Sequence, residues 1–295
     1  MTKQEFYQTI NERELGLGEI LKTSAGIFFE NLQTWLLLSL IVFLPTGIVL
    51  QYLMLQIPVE EIVKAYMSAD LEQLRQVNWN PVWIFFGATL AFNLINVIAS
   101  LAASTYTDHW LHDDLPSFGG LFRETIRKWP RGILIVIWQM LMCLGIVVMA
   151  VLSVGFFLLP GMLLVLAISI LYQYAVVATA VHGHKGFSAY GYAFEICRRR
   201  IGKSLTLVLI MMVINALFSS VLTSITSSFI VLENRTLLYC VVLGLINVIA
   251  NLTTFLLSIG ATLHLLNLEY LSGPHPTDTH AAPEVREIPN TIDIS

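Results

Sequence analysis

Apolar residues in this chain gather into long runs separated by short polar stretches, and the length of each run decides what it forms. About 20 apolar residues carry a helix across the hydrocarbon core of a bilayer. The first run extends from Trp35 to about Leu55. Pro45 stands near its middle, where loss of one backbone donor predicts a bend rather than a break. A second runs from about Val82 to Thr105, with Trp79, Trp83 and Trp110 near its ends, where amphipathic rings favour the headgroup region. From Gly132 to His184 there is no Asp, Glu, Lys or Arg over 53 residues. One helix of that length would measure roughly 80 Å, so the stretch reads as two spans, about 132–153 and 158–181. Ser153, Gly155 and Pro160 mark the turn, with Pro160 suited to the first turn of the returning helix. A fifth span covers about 204–229 and a sixth about 237–266, linked through Glu233, Asn234 and Arg235.

The expected fold is therefore an all-α integral membrane protein with six transmembrane helices. Residues 1–34 form a lead with an interfacial helix, 35–271 the six-span domain, and 272–295 a proline-containing tail that reads as disordered. The external loop from Gln56 to Pro81 mixes charged and apolar residues at helical spacing around Val59–Tyr66, which predicts a short surface helix.

Short amphipathic stretches precede the odd-numbered spans. Leu17, Ile20, Leu21, Ser24 and Phe28 share a helical face in the first. In the second, Phe118, Leu121, Phe122, Ile126 and Trp129 form a stripe, with Arg123, Arg127, Lys128 and Arg131 beside it. A weaker stripe of Ala189, Tyr192, Ala193, Ile196 and Cys197 adjoins Arg198, Arg199, Arg200 and Lys203. The spacing suggests three repeats of an interfacial helix followed by a two-span hairpin, with apolar stripes in the headgroup boundary and basic residues against anionic lipid. An alternative is ordinary positive loops with accidental periodicity.

Composition strengthens the membrane reading. Of 295 residues, 56% are hydrophobic and only 12% charged, about half the charged share of a soluble domain, and the mean hydropathy is +0.73. The net charge of −4 gives no reason to expect nucleic acid as a partner. Thirteen of the 16 basic residues fall in the N-terminal lead, the second and fourth inter-span loops and the tail. Because cytoplasmic loops retain Lys and Arg, both termini are expected in the cytoplasm. No cleavable signal is visible, since the first apolar run begins only near Trp35.

Phe43-Leu44-Pro45, Leu115-Pro116-Ser117-Phe118-Gly119, Leu158-Leu159-Pro160-Gly161-Met162 and Ala193-Phe194-Glu195 carry a resemblance. Over Gly18 to Leu271 the chain resembles the membrane domain found N-terminal to some bacterial glycerophosphodiester phosphodiesterases, and related stand-alone inner-membrane proteins. Pro45, Pro160 and Gly161 are its most family-like positions. The resemblance implies a six-helix module in a bacterial inner membrane. It does not imply phosphodiesterase activity, which in those fusions belongs to a separate soluble barrel that this sequence lacks.

Candidate chemistry is sparse. His109, His112, Asp113 and Asp114 could share a metal, yet polar residues ending a span explain them better. His182 and His184 read as helix-end histidines. Three cysteines without CxxC spacing suggest no disulfide framework and no zinc site. There is no HExxH or GxSxG, no carboxylate pair lies within a span, and no cofactor is expected. Asn93, Asn96, Gln139, Gln173, Asn215, Asn247, Asn251, His264 and Asn267 lie within spans. Such groups either bond helices together or line a polar path. The first functional expectation is a non-enzymatic structural or lipid-interacting module, with anionic lipid headgroups and unidentified membrane proteins as partners. The alternative is a channel or transporter for a small solute.

Overall fold

The computed structural model describes residues 6, 9, 10, 12–68, 71–152, 158–227 and 236–271. The expected disordered tail, the turn at Ser153 and Gly155, and the Glu233–Arg235 link lie outside the described residues. The chain folds as α1 (Leu17–Glu30), α2 (Leu32–Met54), α3 (Val59–Met67), α4 (Leu71–Gln76), α5 (Asn80–Leu111), α6 (Phe118–Leu152), α7 (Leu158–His182), α8 (Gly186–Cys197), α9 (Ile201–Ser227), α10 (Thr236–Ala250) and α11 (Leu252–Tyr270). A single 3-10 turn, Arg198–Arg200, joins α8 to α9. Among the described residues, six helical stretches are long and apolar enough to cross a membrane, with α10 and α11 together supplying the sixth. The protein is a multi-pass, all-α membrane protein.

Two helical stretches, α6 and the sixth span, differ from the expected ones in ways that matter. The second amphipathic stretch is no separate helix: Phe118–Leu152 is continuous through Pro130. At 1.5 Å per residue α6 is about 50 Å long, so its basic first third extends past a hydrocarbon core of ~30 Å. α2 likewise continues through Pro45. Thr46 Oγ1 donates to Val42 O at 2.7 Å there, supplying a donor close to where proline removes one. The sixth span breaks at Asn251, whose Nδ2 donates to Asn247 O at 2.8 Å and to Asn247 Oδ1 at 3.0 Å. The Asn251 backbone N–H still donates to Asn247 O at 3.0 Å and the residue keeps helical dihedrals, so the interruption is confined to this one residue. Pro160 stands in the first turn of α7, where its missing N–H has no helical acceptor to lose.

The even-numbered spans form the centre. α5, α7 and α11 pack against one another, with α6 against α5 and α7, and α9 against α11. Toward the end that carries most of the basic residues, all three are wholly buried, over Val97–Thr107, Tyr174–Ala180 and Ser258–Leu268. These segments are rich in Ala, Ser, Thr and Gly, small residues that let helix backbones approach closely without a water-driven core. This closed layer will be called the plug. At the opposite end α2 and α10 meet through Gly47 and Gly244. A Cβ at Gly244 would lie 2.8 Å from Ile48 Cγ1, and one at Gly47 would lie 3.4 Å from the Gly244 Cα.

The amphipathic stretches face inward. Ile20, Ser24 and Phe28 of α1 are buried, as are Leu121 of α6 and Ala189, Ala193, Ile196 and Cys197 of α8. Phe118, Phe122 and Trp129 pack against the core, and Trp129 Nε1 donates to Leu94 O at 2.7 Å. Leu121 and Trp129 are thus bundle residues, correcting their expected place at the lipid interface. The opposite face of α8 carries exposed phenylalanines instead: Phe187 is 63% and Phe194 51% exposed.

Candidate functional site

The span amides divide into two groups. Asn247 Nδ2 donates to Phe43 O at 3.4 Å, and Asn251 bonds to Asn247. Asn215 Oδ1 accepts from Thr253 Oγ1. Asn267 Oδ1 accepts the Leu15 N–H at 2.9 Å while its Nδ2 donates to Ile10 O at 2.8 Å and to Arg13 O at 3.0 Å. These four hold helices, or the N-terminal segment, in place.

Asn93, Asn96, Gln139 and Gln173 do something else. They come from α5, α6 and α7, all well away from the helix ends, and line one cavity of about 460 Å³. Ser100, Ser169, Tyr172 and Thr254 add hydroxyls to its wall. Val136, Met140, Cys143 and Met212 supply the apolar remainder, so the lining carries no formal charge. Asn93 Nδ2 is satisfied by Thr89 O at 3.1 Å. Asn96 Oδ1 is buried and has no protein partner. An amide oxygen withdrawn from water without a donor costs ~1–3 kcal/mol, so this acceptor invites a ligand donor. Of these residues, Asn93, Asn96, Gln139 and Gln173 stood among the expected intramembrane polar positions. Ser169, Tyr172 and Thr254 did not, because isolated hydroxyls in apolar runs usually bond their own helix, as Ser169 does to Val165 O at 2.8 Å.

The cavity ends at the plug. Below Asn96 in α5, below Gln173 in α7 and below Thr254 in α11 begin the buried segments of that layer, and Ser100 lies within its first turn on α5. His264 lies inside it, fully buried on α11. Its Nε2 is 3.1 Å from Ser204 Oγ, its ring lies edge-on to Tyr174 at 5.9 Å, and its Nδ1 has no partner.

Beyond the plug is the basic end. Arg123, Arg127, Arg131, Arg198, Arg199 and Arg200 are exposed. Lys128 pairs with Glu124 at 2.7 Å and reaches Thr105 Oγ1 at 3.2 Å. Lys203 and Arg200 clamp Glu14 from two sides, at 2.9 and 3.0 Å. Lys203 also donates to the Leu15 carbonyl oxygen. The hydrogen bond from Lys203 is the main cause holding the Glu14 carboxyl below its ordinary range. A second cavity of about 590 Å³ opens beside this clamp, lined by Arg199 and Arg200 together with Glu12, Arg13 and Glu14. Two carboxylates offset most of the charge of the three guanidiniums there, so it is no simple anion site.

The helix-end histidines bridge elements. His109 Nε2 lies 3.0 Å from Glu124 Oε2, tying α5 to α6, and His182 Nε2 lies 2.9 Å from Glu269 Oε2, tying α7 to α11. His112 Nδ1 lies 2.9 Å from Asp108 O. Among the described residues no group of three or more His, Cys, Asp or Glu is placed to hold a metal ion. Comparison with known protein families, with characterised proteins and with solved structures returned no match, so the site is read from its own chemistry alone.

Proposed function

We propose that this protein binds a small neutral polar solute within the membrane and conducts it across, as a carrier or gated channel. The convergence of Asn93, Asn96, Gln139 and Gln173 on one cavity at mid-depth carries the reading. Amides offer donors and acceptors together, and with no charge in the lining they suit polyols or small amides rather than ions. The volume is within the usual range for small-molecule sites. The wider proposal places the protein in a bacterial inner membrane with the basic end and both termini cytoplasmic, and acting without enzymatic chemistry. Purified protein in liposomes tests it by light scattering with glycerol, urea and erythritol as probes. Passage faster than in empty liposomes, lost in Asn96→Leu, is expected. Equal rates for all three probes with and without protein would defeat the proposal.

A second reading, a lipid-interacting module, rests on a separate observation. Phe187, Phe194 and Ile201, the last 65% exposed, stand beside exposed Arg198 and Arg199. Apolar side chains at the headgroup boundary with cations above them match an anionic membrane surface. The two readings are compatible, because one concerns the rim and the other the interior.

A further inference from the structure

The closed layer beneath the cavity contains one imidazole whose chemistry no packing role accounts for. His264 is fully buried among helices, within the last of the helical stretches long and apolar enough to cross a membrane. Its Nδ1 meets no partner. An aromatic or aliphatic residue would fill the same space without leaving a polar atom orphaned, and buried polar atoms are otherwise paired in almost every case. An ionisable group within a membrane span is functional by default, with its partner to be named. Here the partner is Ser204, whose Oγ lies 3.1 Å from Nε2.

We propose that His264 is the proton-binding site of a gate, and that taking up a proton opens the plug between the amide-lined cavity and the basic end. This rests on the solute reading above for what the gate releases. The step is a simple protonation: a proton from water at the basic end bonds to the free ring nitrogen, and the imidazole becomes imidazolium. Neutral, the ring carries one N–H and one bare nitrogen, and only Nε2 has a partner, Ser204. Protonated, it is a donor at both nitrogens, and the packed layer offers an acceptor to only one. A buried cation left unpaired is far more costly than a neutral ring, so protonation favours whichever arrangement brings His264 to water.

The surroundings make the imidazole the responsive group. Among the elements packed on α11, α7 presents the Tyr174 phenol and α8 the Cys197 thiol beside Ser204. α9 presents Lys203, and the segment ahead of α1 presents Glu14. Those two charges act on the ring with opposite sign and already bind each other at 2.9 Å, so neither is free to neutralise an imidazolium. The pair also marks the route of entry, because Lys203 adjoins Ser204 in the chain while its ammonium reaches the edge of the bundle.

Two measurements on the full-length protein in liposomes test the gate. Glycerol and urea flux is followed from pH 8 to pH 5, and hydrogen exchange of the 258–268 segment is followed over the same range after correction for the intrinsic pH dependence of exchange. Both are expected to rise as pH falls, by up to about tenfold per pH unit, the limit for a single proton. In His264→Gln, which keeps a group able to bond Ser204 but cannot titrate, both are expected to be flat. Ser204→Ala serves as the second variant, in which the rise persists with a moved midpoint. Flux that is pH-independent in the native protein overturns the gate and leaves the solute reading intact. If no probe passes at any pH, the solute reading fails, and the exchange measurement decides the gate alone. Exchange that ignores pH, or that responds equally in His264→Gln, overturns it.

Discussion

Trp129 donates its indole N–H to the carbonyl oxygen of Leu94 at 2.7 Å, which joins the basic helix α6 to the stretch of α5 that carries the cavity amides. Leu94 stands between Asn93 and Asn96 in sequence, so the bond helps fix the wall of the site. It also turns the aromatic stripe of α6 away from lipid. In a protein keeping Trp129 as its one tryptophan, emission is expected to be blue-shifted and indifferent to the anionic lipid content of the vesicle. Emission that shifts with lipid charge would show that the ring lies at the membrane surface instead.

Asn267 anchors the N-terminal segment through three bonds, to Leu15, Ile10 and Arg13. Asn267→Ala leaves one buried N–H and two carbonyls without these partners. A loss of ~1–3 kcal/mol in unfolding free energy is expected, and limited proteolysis should release the segment ahead of Leu17 before the spans are cut. A stability and cleavage pattern matching the native protein would contradict the anchoring role.

Gly47 and Gly244 permit the close approach of α2 and α10. Gly47→Leu must push aside Asn247 and the facing backbone, and overpacking of this kind costs ~1–3 kcal/mol. Gly87→Leu is the matched control, because nothing lies within 4 Å of a Cβ there. Thermal melts in detergent should separate the two variants, and equal melting temperatures would count against the contact.

The N-terminal carboxylates give an acid dependence with a definite sign. Hydrogen bonds from Arg13 and then from the Gly16 N–H bring the Glu19 carboxyl down from 4.5 to about 2. Lys203 lowers Glu14 in the same direction. A carboxyl depressed in the folded state stabilises it fully above its unfolded value and loses that contribution as pH falls through the folded value. The segment should therefore loosen between about pH 4.5 and pH 2, seen as faster hydrogen exchange at residues 12–20. Each pair reaches solvent and is screened by it, so the spans themselves should be unaffected. Loosening that begins above pH 6 would point to a different group.

Arg198 and Arg199 sit at the rim beside Phe194. Replacing both with Gln is expected to weaken binding of phosphatidylglycerol, measured in nanodiscs of graded composition, by ~2 kcal/mol at low salt, about 1 kcal/mol per charge. The double variant Phe187→Ser, Phe194→Ser should weaken association independently of lipid charge. If neither pair of changes alters lipid binding, the rim reading fails.

What the sequence determined by itself is the number of spans and the end at which basic residues gather. Both follow from free energies large enough to need no neighbour: the cost of charge in hydrocarbon, and the length a helix must have to cross it. Periodicity in Leu17–Phe28, Phe118–Trp129 and Ala189–Cys197 likewise showed which faces avoid water. It could not say what they meet instead, because lipid and protein interior are both apolar. Tertiary packing decided that question, seating Leu121 and Ala193 in the bundle and leaving Phe187 and Phe194 outside. The same limit applied to the amides. Asn93 and Asn247 look alike in an apolar run, yet one lines the cavity and the other bonds Phe43 across helices. Which of them binds a neighbouring helix and which is left to face a cavity depends on how the packed helices are rotated against each other, and only the folded bundle sets that rotation.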